Sequence, residues 1–191
     1  MRRMRRMLLG LMALGLALAA CEKKGEEVKP VGELEFSVVP DTLKVSTEPG
    51  DYTVSVTGKE TGGAAVTMDS VVVVVTYTDG SPVMLAGQNL TESQLTWRAG
   101  SPEEGGPMAG MLEEFWTFEA GETKTFALPV KVGFEPSPPE GFAGLYFNVL
   151  YFQAATAAGQ PGFKVTLTYE AADENGNPVV GTIVLYIQVQ T

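Results

Sequence analysis

The chain has 191 residues, of which 45% are hydrophobic, a formal charge of −10, one cysteine and no histidine. Without histidine there is no Ser-His or Cys-His nucleophile system, and the commonest general base and catalytic zinc ligand are missing. The acidity argues against nucleic acid and anionic lipid headgroups as partners, and a lone cysteine forbids an internal disulfide.

Arg2, Arg3, Arg5 and Arg6 precede an uncharged apolar run from Met7 to Ala20. At about 1.5 Å per residue that run makes a helix of roughly 21 Å, short of a bilayer core of about 30 Å, so a cleaved export signal is expected rather than a permanent span. Leu18-Ala19-Ala20-Cys21 resembles the lipobox of bacterial lipoproteins. The resemblance implies a diacylglycerol thioether on Cys21, cleavage before it, and acylation, for instance by palmitate, of the new amino terminus. Each buried CH₂ contributes about 0.8 kcal/mol, so two or more chains anchor a protein stably. Arg5-Arg6-Met7-Leu8-Leu9 also resembles a twin-arginine signal, without the usual Ser or Thr before it and Lys after it. Glu22 behind the cysteine is compatible with outer-membrane sorting in two-membrane bacteria. The expected location is therefore outside the cytoplasm, lipid-anchored to the cell membrane or outer membrane, with the membrane itself as the first partner.

Loss of residues 1–20 removes four arginines and no acid, moving the formal charge from −10 to −14. Residues 21–32 read as the lipidated cysteine and a charged, apolar-poor tether. If flexible, its eleven residues after the cysteine have a root-mean-square reach of about 18 Å. Residues 33–191 read as one domain, large enough to bury about 70% of its unfolded surface without staples.

From residue 33 the apolar positions recur with period two, the signature of half-buried strands. Leu34, Phe36 and Val38 alternate with Glu33, Glu35 and Ser37. Leu43 and Val45 follow the turn at Pro40-Asp41, and Tyr52, Val54 and Val56 follow Pro49-Gly50-Asp51. Val71 to Val75 are consecutive β-branched residues that ask for cover on both faces, as in a central strand. Asp79-Gly80-Ser81-Pro82 is a turn, Leu95-Thr96-Trp97 a short strand, and 100–110 a Gly, Pro and Glu-rich loop of the length that is often functional. Met111 to Phe118 opens with a helical turn and ends as strand. After Glu119-Ala120-Gly121-Glu122 comes a strand through Phe126, Leu128, Val130 and Val132, in which Pro129 points to a sheet edge or bulge. A Pro-rich loop covers 134–141.

Gly144 to Gln153, apolar on both faces, reads as a central or interfacial strand. Phe163 to Tyr169 and Ile183 to Val189 alternate strictly, and Asn175-Gly176 between them predicts a hairpin closed by a tight primed turn. About nine strands without a long helix argue an all-β, antiparallel sandwich. The phrasing of Glu119-Ala120-Gly121-Glu122-Thr123 before an alternating strand, together with the closing hairpin, resembles immunoglobulin-like modules of bacterial envelope proteins.

The chemistry left open is narrow. Glu103-Glu104, Glu113-Glu114 and Asp173-Glu174 are paired acids, but sequence neighbours on a strand point to opposite faces, whereas glycosidases need two carboxylates converging. Asp173, Asn175 and Asn177 have the opening spacing of a calcium loop, yet Pro178 stands where Gly is needed and Val184 where the bidentate Glu is needed. Met108 and Met111 have a Met-x-x-Met spacing used by Cu(I) thioether sites, with Met84 in another loop. These methionines equally serve as gap fillers, and Trp97 and Trp116 as core. No cofactor or metal ligand set is assigned. The reading is a non-catalytic, lipid-anchored envelope protein with a binding or structural role toward an envelope protein partner. Its candidate surface is Met108, Met111, Leu112, Phe115 and Trp116. A second reading is a small-ligand or metal (copper or calcium) carrier using the 100–118 region. A third is a carboxylate enzyme acting on envelope glycans.

Overall fold

The computed structural model describes residues 28–85, 88–89, 96–99, 116–140 and 142–190, with backbone alone for 85, 88–89 and 96–99. The alternating runs become β1 (Leu34–Val39), β2 (Thr42–Val45), β3 (Gly50–Glu60), β4 (Val66–Tyr77), β5 (Met84–Leu85), β6 (Gln88–Asn89), β7 (Thr96–Ala99), β8 (Thr117–Phe118), β9 (Thr123–Gly133), β10 (Leu145–Asn148), β11 (Gly162–Asp173) and β12 (Pro178–Val189). One helix, α1 (Val149–Ala157), stands between β10 and β11. One sheet has the order β1-β3-β9-β10 and the other β2-β12-β11-β4-β7, with β8 also paired to β4 and β5-β6 forming a separate ribbon. The result is a β-sandwich of immunoglobulin-like type. Its long pairs are antiparallel, and the short pairs β10 with β9 and β2 with β12 are parallel.

β1 and β2 belong to different sheets, so the chain changes layer at the cis Val39-Pro40 bond. Inward positions of the two sheets meet: Val54, Val56, Leu128, Val130 and Phe147 from one, Val73, Val75, Phe163, Val165 and Leu185 from the other, all 4% exposed or less. Aromatic pairs cross the interior near both ends. Phe36 meets Tyr169 at 5.1 Å, and Phe147 stacks on Phe163 at 5.6 Å.

Three expectations change in detail. The run Gly144–Gln153 is strand only to Asn148, and Val149 onward is helical. Asn148 caps the helix: its backbone is extended and its Oδ1 accepts from Leu150 N at 2.8 Å, which satisfies one of the free amides of the first turn. Val149, Phe152 and Ala155 then fall on one buried face, and the alanines that follow favour helix. The helix ends at Gly159 (φ +70°), with Gln160 N bonded to Ala155 O and Gly159 N to Thr156 O, the paired closing bonds of a Schellman motif.

The hairpin between β11 and β12 forms, but not through a two-residue primed turn. Gly176 N donates to Asp173 O, Asp173 N donates to Asn177 O, and Gly176 has φ +80°. This is a three-residue loop with its glycine in the left-handed position. The valine run does lie between two partners, β11 and β7. Its outer residues Val72 and Val74 are nevertheless only half-buried, whereas Val71, Val73 and Val75 are buried. Pro129 sits in β9 opposite Thr53, one residue before the pairing with β10 begins at Val130. Its missing donor therefore falls where β9 passes from an edge to an inner strand.

Candidate functional site

The sandwich has two unlike ends. At the near end, where residues 28–33 lie, are the turns 61–65, 119–122 and 174–177. At the far end are the turn after β4, the 134–140 loop, α1 and the end of β12. β11 and β12 span both ends, and twelve residues each at about 3.3 Å place them some 36 Å apart.

Two buried carboxylates organise the near end. Glu60 is fully buried, and its Oε1 accepts from the backbone N–H of Gly62 at 2.7 Å, Gly63 at 2.9 Å and Glu33 at 3.2 Å. Its Oε2 accepts from Gly121 N at 2.7 Å and Gly63 N at 3.1 Å. Burial is the largest single influence and pushes its carboxyl up, but the four backbone donors together hold it below the usual range. Asp173 accepts from the Asn177 side chain at 2.8 Å and from the amides of Gly32, Asn177 and Asn175 at 3.0, 2.8 and 2.9 Å. The Asn177 side chain first, then those amides, hold its carboxyl at about 2 against the opposing effect of burial.

Both acids thereby clamp the incoming chain. Asn175 Nδ2 donates to Pro30 O, Thr61 N to Glu33 O and the Tyr169 hydroxyl to Leu34 O. The fit leaves no room for a side chain at Gly62, where a Cβ would lie 1.8 Å from Val31 O. The calcium-loop spacing thus describes an anion nest turned on the protein's own carboxylate. The two asparagines point amide N–H groups at oxygen acceptors, the reverse of what a cation requires. Glu174, beside Asp173, is exposed, so this adjacent pair does not converge.

Cys21, Met108, Met111, Leu112, Phe115, Glu103-Glu104 and Glu113-Glu114 lie outside the described residues. Trp116 is 5% exposed and belongs to the core, with its backbone O bonded to Met68 N at 2.7 Å. It contributes nothing to an exposed patch, and its buried indole N–H has no partner among the described residues. Met84 is partly exposed, and its backbone N–H and C=O both bond the Tyr77 hydroxyl. Among the described residues no three His, Cys, Asp or Glu side chains gather as a metal site.

The far end carries a different chemistry. Phe152, fully buried, plugs it from above, 5.1 Å from Phe163. Asn148 is 7% exposed and does three jobs: it caps α1 through Oδ1, and through Nδ2 it holds Phe134 O at 3.1 Å and Glu135 O at 2.8 Å. The Tyr146 hydroxyl donates to Glu135 O as well. The loop leaving β9 is therefore fixed against the start of the helix, with Phe134 66% exposed and Leu150 52% exposed. Gln153, Thr156 and Ala157 continue the exposed side of α1. Beyond them an open groove of about 760 Å³ is lined by Lys44, Thr47, Gln160, Gln188 and Gln190 among others. Residues 141–163 contain no charged side chain. A surface helix ordinarily carries charge on its solvent face; this one does not.

No protein-family model matches the chain, and no curated protein does. Solved structures with a similar outline include the ApaA protein of Bordetella pertussis, at 14% identity and a TM-score of 0.42, covering 83% of this chain and 96% of that one. The CARDB domain of a Pyrococcus furiosus protein, solved with di-metal ions, has 13% identity and a TM-score of 0.34, covering 85% and 98%. The adhesin InvE of Yersinia pseudotuberculosis has 14% identity and a TM-score of 0.30, covering 82% of this chain and 32% of that one.

Sequence reasoning missed Glu60, Asn148 and the far end as a surface. Signals were present: Glu60 precedes Gly62-Gly63, whose bare amides suit a carboxylate. Asn148 stands directly before a run with helical spacing, and the uncharged stretch from 141 to 163 is long for so acidic a chain.

Proposed function

We propose that the protein is a lipid-anchored component of the cell envelope with a non-catalytic binding role. The observation that carries this reading is the use to which the two buried acids among the described residues are put. A catalytic carboxylate keeps an oxygen free for substrate or a proton, whereas Glu60 and Asp173 have their oxygens occupied by N–H donors that close turns and hold the incoming chain. The lipobox at Leu18–Cys21 supplies the anchor, and the chain joins the sandwich at the end opposite α1, so an anchored domain would carry the end bearing α1 away from the bilayer. Labelling growing cells with an alkyne fatty acid tests the anchor. The wild type is expected to take up label and to sediment with membranes, and Cys21→Ala to take up none and either to remain an uncleaved precursor or to leave the membrane. A labelled Cys21→Ala protein, or one that is cleaved yet membrane-bound while the wild type takes up no label, would overturn the anchor.

A further inference from the structure

We infer that the far end is a docking surface for a protein partner whose contact patch is uncharged at its centre and basic at its rim. The inference deepens the binding role proposed above and rests on it. Three observations meet here. The exposed positions Phe134, Leu150, Gln153, Thr156 and Ala157 bring no charge to the surface of a chain whose formal charge is −10. Depletion of charge at the centre, with an aromatic side chain offered to solvent, is the compositional mark of an interface core. Second, the surface is held in place before any partner arrives. Asn148 and Tyr146 tie the Phe134–Glu135 backbone to the start of α1, and the paired closing bonds fix the end of the helix, so little conformational freedom remains to be lost on binding.

The third observation selects the occupant. Exposed acids border the uncharged area: Glu135 and Glu140 in the loop after β9, and Asp79, whose Oδ2 accepts from Gln160 Nε2 at 2.8 Å. Of the basic residues at this end, Lys131 is paired with Asp51 at 2.7 Å, and exposed Lys44 lines the groove beyond α1, leaving the border mainly acidic. A second copy of the chain would set one mainly acidic border against another, and an anionic bilayer would be repelled for the same reason. A basic rim on a different protein complements the border and accelerates encounter.

The test places the photo-crosslinking residue p-benzoylphenylalanine at position 153 of the full chain in living cells. Position 180, where exposed Val180 lies near the opposite end, serves as the control. The expected result is one discrete heteromeric adduct from 153 and none from 180. The adduct should fall at least tenfold with Leu150→Glu while the thermal melt stays unchanged. Glu135→Lys with Glu140→Lys should slow association of the purified pair several-fold at low salt and flatten its salt dependence. No adduct from 153, an adduct with a second copy, an adduct with lipid, or charge reversal that leaves association untouched would each overturn the inference. Ala157→Glu, at another exposed uncharged position, provides a milder second variant should Leu150→Glu fail to fold. Fatty-acid labelling is read in the same cells, so loss of the anchor and loss of docking are separately visible.

Discussion

Replacing Glu60 by glutamine changes one oxygen for an NH₂ group and nothing else in outline. Oε1 can keep its bonds to Glu33, Gly62 and Gly63, but the Gly121 amide, which donates to Oε2 at 2.7 Å, would then face another donor. Orphaning one buried donor costs about 1–3 kcal/mol, and the bonds that remain weaken because they lose the charge that made them roughly twice as strong. Together the change should destabilise the domain by about 2–4 kcal/mol. For a domain of this size each kcal/mol moves the melting temperature by about 2–4 °C, so a drop of roughly 10 °C is expected in thermal melts of the full chain in detergent. Hydrogen exchange at Gly121, Gly62 and Glu33 should accelerate before the rest of the sandwich does. A melt lowered by less than about 2 °C, with those amides still protected, would refute the assignment of the carboxylate as their common acceptor.

Gly176→Val should lower stability by about 1–2 kcal/mol, since a β-branched residue is forced to a φ near +80° although nothing lies within 4 Å of its Cβ. An unchanged melt would mean the loop relaxes to another turn. Acid should loosen the near end. Asp173 has its carboxyl depressed from 3.8 to about 2, so its contribution is complete above about pH 4 and is lost as pH falls through about 2. Glu60, also depressed, acts in the same direction. Amide exchange at Gly32 followed from pH 5 to pH 2 should show the loss, which Asp173→Asn would abolish.

Much of the sandwich was legible because period-two patterning reports which face of a strand is wet, and Leu34–Val38, Tyr52–Val56, Phe163–Tyr169 and Ile183–Val189 obey it. What escaped was decided by interactions distant in sequence or by single polar atoms. Tyr146-Phe147 and Tyr151-Phe152 raise strand propensity across the whole run, yet one capping side chain at Asn148 turns the chain into helix, because the free amides of a first turn outweigh a modest local preference. Val72 and Val74 look identical to their buried neighbours, and only the stacking of sheets decides which valines are covered. The near-end clamp joins Gly32 to Asp173 and Glu60 to Gly121, separations over which a one-dimensional pattern carries no signal. The same limit hid the far end, whose uncharged surface is assembled from the loop after β9 and the helix.

The fastening of Pro30 to Leu34 also says where the folding unit starts. A fragment begun at Leu34, the first residue of regular structure, would lack the Gly32 and Glu33 amides and the Pro30 carbonyl, leaving Asp173, Glu60 and Asn175 each short of a partner. Choosing the boundary by the first strand would thus yield a domain already weakened at the end where the intact chain is gripped most firmly. Recombinant versions, fusions and tags belong upstream of Pro30, where a join leaves both buried acids with their donors.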